Sequence, residues 1–98
     1  MSLRLDSILV QEPGLSVANV DGRVVILSLK AASYFDFNKV ASEIWDMLST
    51  PHTVDEILCE LRQHHDVSAD ILTRDVMTFL ESLLSQQLVR TVTLEKAR

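Results

Sequence analysis

The 98-residue chain has little of what usually constrains a small protein by covalent or backbone means. Its single cysteine, Cys59, excludes an internal disulfide and a cysteine-based zinc site. Two glycines and two prolines leave little room for long loops. No apolar run approaches the roughly 18 residues of a membrane-spanning helix. The N-terminal stretch MSLRLDSILV carries a base but also Asp6 and only a short apolar run, so no secretory signal is expected. A lone thiol fits a reducing compartment, and the cytoplasm is the expected location. Bases are scarce as well: nine Lys and Arg face fourteen Asp and Glu, a net charge of −5. That deficit lies between Asp36 and Asp66, which holds seven acids and two bases, while the rest of the chain is balanced. Such a stretch reads first as a solvated acidic face and second as a dock for a basic partner.

Signals for catalysis are equally thin. His52, His64, His65 and Cys59 are the only soft ligand candidates. His64 and His65 are adjacent and cannot share a helix face, and Cys59 to His64 is an i, i+5 step. Neither matches the i, i+4 geometry of helical metal ligands. Each glycine stands alone, so there is no phosphate-cradling loop, and no serine sits on a nucleophile elbow. No enzyme activity, no cofactor and no metal are expected.

What is present is a 47% hydrophobic chain, enough for one globular domain with a modest core. Residues 1–15 read as an N-terminal arm closed by Pro13-Gly14, residues 16–92 as the domain, and residues 93–98 as a tail. Ser16 to Val20 reads as a strand. Asp21-Gly22 is a primed-turn hairpin signal, and Arg23 to Leu29 returns. Val24 to Leu27 is apolar on both faces, which predicts the central strand. Lys30-Ala31-Ala32 turns the chain, and Ser33 to Phe37 forms a third strand at an edge. Asn38 then caps a helix from Lys39 to about Ser49, with Ala41, Ile44, Trp45 and Leu48 at helical spacing. Thr53 and Glu56 match the capping box of a second helix, about Val54 to His65. Ser68 caps a third, running to about Gln87. Leu88 to Val92 reads as a last short strand or an extended tail.

On the third helix, Leu72, Val76, Phe79, Leu80 and Leu83 share one arc and are the expected core. Met77 and Leu84 lie beside it and widen the apolar face to roughly 160°, more than a surface helix needs. The width fits either a helix sunk deeper into the core or a groove lined by Met77 and Leu84, for which a methionine thioether, adaptable to varied partners, is suited. The polar flank Arg74, Thr78 and Glu81 is the alternative wall.

The second and third helices followed by Leu88-Val89 have the rhythm of a winged helix-turn-helix, so a DNA-binding transcription regulator is the rival reading. Charge opposes it: Val67 to Gln87 carries one base and three acids, which would repel phosphates.

The ordered series Tyr34-Phe35-Asp36-Phe37-Asn38, Ala41, Ile44-Trp45, Leu48, then Pro51-x-Thr53-Val54-x-x-Ile57, then Asp75-Val76-x-x-Phe79-Leu80-x-x-Leu83 and Leu88-Val89 resembles the PqqD-like domains. These are the RiPP recognition elements that bind leader peptides of ribosomally made, modified natural products. The aromatic run into Asn and then Ile-Trp is most similar to stand-alone lasso-peptide members. Phe37, Thr50 and Gln87 depart from the Leu, Gly and Gly common at those places. The resemblance implies an α+β, winged-helix-like fold: a three-stranded antiparallel sheet followed by three helices. It implies a non-catalytic adaptor that takes a precursor's leader as an added strand along Ser33, Tyr34, Phe35, Asp36 and Phe37, packed against the third helix, and presents it to a modifying enzyme such as a leader peptidase or cyclase. No nucleic acid or membrane partner is implied. Proline at Phe35 is expected to remove a donor from that edge. An exposed edge can also pair with its own copy, which leaves a homodimer open.

Overall fold

A computed structural model describes residues 3–29 and 32–92. In chain order the elements are β1 (Ile8–Gln11), β2 (Ser16–Val20), β3 (Arg23–Ser28), β4 (Ser33–Asp36), α1 (Lys39–Met47), β5 (His52–Thr53), α2 (Val54–His64), α3 (Ala69–Ser85) and β6 (Val89–Val92). The expected antiparallel sheet is present in the order β2-β3-β4. Its first hairpin turns on Asp21 and Gly22, both at positive φ (53° and 81°), as a type I′ turn requires. Ala32, entering β4, also has positive φ. Lys30 and Ala31 of the predicted turn, and the predicted tail 93–98, lie outside the described residues.

β3 is central in its hydrogen bonding, but only one of its faces is covered. Val24, Ile26 and Ser28 point inward, whereas Leu27 is 46% exposed. Val25 to Leu27 is thus a half-covered pleat and not a strand buried on both faces. The exposed face continues onto β4, where Tyr34 stands opposite Leu27 at 70% exposure.

The N-terminal segment is not an arm. β1 is the middle strand of a second antiparallel sheet, β5-β1-β6, and Leu9 is fully buried. The reason lies in the helix ends, whose backbone groups have no partner within the helix. The Ser7 and Leu5 carbonyls accept from the Val54 and Asp55 N–H groups that open α2, at 3.1 and 3.0 Å. At the end of α1, Gln11 donates its side-chain amide to the Trp45 carbonyl at 2.7 Å and its backbone N–H to Leu48 at 2.8 Å. Glu12 N–H then reaches the Leu88 carbonyl at 2.9 Å, just past α3. One short segment therefore satisfies the end of α1 and the start of α2, and ties down the chain just past α3.

The three helix starts follow the capping signals. Asn38 Oδ1 accepts from Ala41 N–H at 2.9 Å. Thr53 and Glu56 form the reciprocal capping box at 3.0 and 2.8 Å. Ser68 accepts from Ile71 N–H at 3.5 Å. The helices close on a core that includes Ile44, Trp45, Leu48, Ile57, Leu61, Leu80 and Leu83. α3 ends in a Schellman pattern, with Leu88 N–H on the Leu83 carbonyl and Gln87 N–H on Leu84. Gln87 occupies the left-handed position at φ 63°.

Two outcomes check this architecture. Leu9→Ala is expected to cost about 2–5 kcal/mol in denaturant unfolding; a cost below about 0.5 kcal/mol, the range of ordinary surface changes, would mean that β1 is not part of the core. Gln87→Gly relieves a left-handed side-chain position and is expected to stabilise by about 0.5–1 kcal/mol, read as a rise in the urea midpoint at unchanged slope.

Candidate peptide-binding edge

β4 ends its sheet, with no further strand on its outer side among the described residues. Which groups face that side follows from the register. Phe37 N–H donates to the Val24 carbonyl at 2.9 Å, and Phe35 stands opposite Ile26. Antiparallel ladders alternate, so Phe35 and Phe37 turn their backbone groups toward β3. Tyr34 and Asp36 turn theirs outward. The free donors of the edge are therefore at Tyr34 and Asp36, not at Phe35; proline at Phe35 would break the internal ladder instead.

The strand is locked into this pose at its junction with α1. Ser42, buried on the first turn of the helix, accepts the Val24 N–H at 2.9 Å and donates to the Phe37 carbonyl at 3.3 Å. Arg23 Nε donates to the same carbonyl at 3.2 Å, and its guanidinium pairs with Asp36 at 3.0 Å. Both side chains of that pair are half-exposed, so it contributes at most about 1 kcal/mol. Phe37 is buried, with its ring edge-on to Trp45 (6.0 Å between centroids) and to Phe79 of α3 (5.3 Å).

The candidate residues thus divide. Ser33, Tyr34 and Asp36 are exposed on the edge, Phe35 is partly buried, and Phe37 belongs to the core beneath them. On α3, Phe79 is only partly buried and forms the contact with the strand–helix junction. At about 100° per residue, Met77, Leu84, Arg74 and Glu81 all lie more than about 130° round the helix from Phe79, and Thr78 lies about 100° from it. Met77 and Leu84 are partly buried against the core, while Arg74, Thr78 and Glu81 are exposed. The flank that meets the junction is the one bearing Asp75, Phe79 and Ser82. Reading the apolar arc as uniform core hid Phe79; its position at the margin of that arc was the available signal.

Among the described residues, no three His, Cys, Asp or Glu side chains converge on a metal-sized site, and no helix is long and apolar enough to cross a membrane. His65, at the end of α2, bonds Glu43 of α1 at 3.0 Å.

A strand edge with no further strand on its outer side, beside an aromatic helix flank, is an arrangement that β-strand addition of a peptide can use. The family model described as coenzyme PQQ synthesis protein D (PqqD) matches residues 23–89, and the chain belongs to that family. Three solved structures are similar. TbiB1 in complex with the TbiA(beta) leader peptide is 26% identical over 87% of this chain and 99% of its own, with a TM-score of 0.77. Lasso peptide synthetase B1 complexed with the leader peptide is 23% identical over 84% and 96%, with a TM-score of 0.73. The PqqD truncation of Methylobacterium extorquens PqqCD, described as a functional and stand-alone RiPP recognition element, is 18% identical over 91% and 95%, also at 0.73. The latter two establish the shared fold. No curated protein matches the chain.

Ser42→Ala would leave the buried Val24 N–H without a partner. It is expected to cost about 1–3 kcal/mol, measured by chemical denaturation. An unchanged midpoint would show that the junction does not depend on that hydroxyl.

Proposed function

We propose that the chain is a non-catalytic adaptor that captures the leader of a ribosomal precursor peptide by β-strand addition at β4 and presents it to a modifying enzyme, of the leader-peptidase or cyclase kind. The observation that carries this reading is the free edge at Tyr34 and Asp36 beside the Phe79 flank of α3. Membership of the PqqD family supports it, as does the likeness to TbiB1, which was solved with a leader peptide. Main-chain bonds to the edge give affinity at roughly 1 kcal/mol net each. Alternate side chains of the added strand face the Phe79 flank and give selectivity. A helix bearing one base and three acids over 67–87 opposes the DNA-binding alternative. Met77 and Leu84 then serve the core side of α3, and the peptide meets Phe79, Asp75 and Ser82. The work is placed in the cytoplasm, where precursor peptides are made. A homodimer through the same edge would compete with the peptide for Tyr34 and Asp36.

Tyr34→Pro removes one outward donor and leaves the ladder to β3 intact, a position where an edge tolerates proline. It is expected to weaken leader binding about fivefold to tenfold in a titration by fluorescence anisotropy, while Tyr34→Ala, which keeps the donor, loses less. Equal affinity for the folded proline variant and the wild type would remove β4 as the site.

A further inference from the structure

A strand added to β4 offers two sets of side chains, one to each face of the sheet. The inward set meets the Phe79 flank of α3. The other set lies on the outer face, and that face is not featureless. Its rows follow from the register. Ser16, Leu27 and Tyr34 form one row across β2, β3 and β4, and Ala18, Val25 and Asp36 form the next. Leu27 and Tyr34 are large apolar side chains left exposed. Asp36 puts a half-exposed carboxylate beside them.

Tyr34 and Asp36 are also the residues whose backbone groups turn outward. Residues that stand directly opposite on neighbouring strands share a face, whichever way the strands run. The residues of an added strand beside Tyr34 and Asp36 therefore put their side chains on the outer face, two positions apart, with Cβ atoms about 5 Å from those of their partners. One extends the Leu27–Tyr34 row and covers its exposed apolar surface. The other lands beside the carboxylate. Arg23 pairs with that carboxylate through Oδ1 at 3.0 Å, but a carboxylate has acceptor capacity for a second base. Arg23 stands on β3, two strand spacings of about 4.8 Å from the added strand, whereas Asp36 is one spacing away. The nearer charge is negative, and Coulomb attraction favours a base there.

We propose that Tyr34 and Asp36 are specificity-determining residues that read the outer side of the captured peptide. Tyr34, with Leu27 behind it, selects an aromatic or β-branched side chain. Asp36 selects a lysine or arginine two positions from it. The inference rests on the peptide-capture reading and adds a second requirement to it, independent of the inward side chains. Each preference is modest, about twofold to fivefold over alanine, the size of a cross-strand pair on an exposed sheet. The order of the two residues along the peptide is set by the direction of the added strand.

A random peptide display library, selected in parallel against the full-length wild type, Tyr34→Ser, Asp36→Asn and Tyr34→Pro, tests both levels. The wild type is expected to enrich an aromatic or β-branched residue with Lys or Arg two positions from it, in one constant order. Asp36→Asn is expected to lose the base and keep the apolar residue, and Tyr34→Ser to do the reverse. A role in folding alone would not split the two. A second arm uses the wild-type protein only. Replacing the base of a synthetic winner by Gln is expected to weaken binding about twofold to fivefold at low salt and less at high salt, whereas the loss on replacing its apolar partner by Ala persists at high salt. That arm needs no variant, so it stands even where a thermal melt shows that a variant fails to fold. Winners without preference at these two positions, or with both preferences intact on folded Asp36→Asn and Tyr34→Ser, overturn the outer-face reading, while sensitivity to Tyr34→Pro preserves the capture reading. No enrichment by the wild type removes the capture reading and the outer-face reading with it.

Discussion

The fold turns on one hydroxyl. Ser42 sits where the last bond of the β3–β4 ladder ought to close, taking the Val24 N–H and giving its own proton to the Phe37 carbonyl. Without it, a strand that stops at Asp36 would leave a buried donor near the start of the neighbouring strand. With it, the chain passes from strand to helix through only two residues, Phe37 and Asn38. Asn38 simultaneously accepts from the first turn of α1, so the helix axis and the strand direction are set together. Phe37 is held between Trp45 and Phe79 as a result. The rigidity of β4 therefore comes from its inner side and its exit, which leaves its outer side free of structural duty.

That arrangement explains why a bare edge is tolerable in a small domain. Unpaired strands invite self-association, and proteins often blunt them with lysine, proline or bulges. β4 has none of these; it is four residues long, and its outward groups are limited to those at Tyr34 and Asp36. Asp36 places a charge at one end, paired with Arg23 at the surface. The edge is short and partly charged.

Local chemistry made much of this legible in the sequence. The Asp21-Gly22 turn, the three N-caps and the helix stripes each depend on residues within a few positions of one another, and each appears where its pattern placed it. The order of β2, β3 and β4 follows from their short connections. Four things depended on distant partners and stayed hidden. Ile8 to Gln11 looks like a loop until residues 52–53 and 89–92 are brought beside it. Val25 and Leu27 look like core until the packing leaves one side of the sheet bare. A helical wheel orders the residues of α3 but does not say which flank meets Phe37, so the ring contact of Phe79 was not visible. The direction of backbone groups along β4 was hidden for the same reason, since it is set by register with β3 and not by side-chain type.

The placement of β1 carries a consequence for how the molecule is made. Ile8 pairs with Val92, so β1 needs β6, at the far end of the domain, as its neighbour. The β2–β4 sheet and the helices can assemble from contacts close in sequence, which form early because little chain entropy is lost in closing them. β1 must wait beside them with Leu9 uncovered until β6 has been made. The domain thus passes through a nearly folded body in which the end of α1 and the start of α2 are still open, and a single late docking event closes both at once.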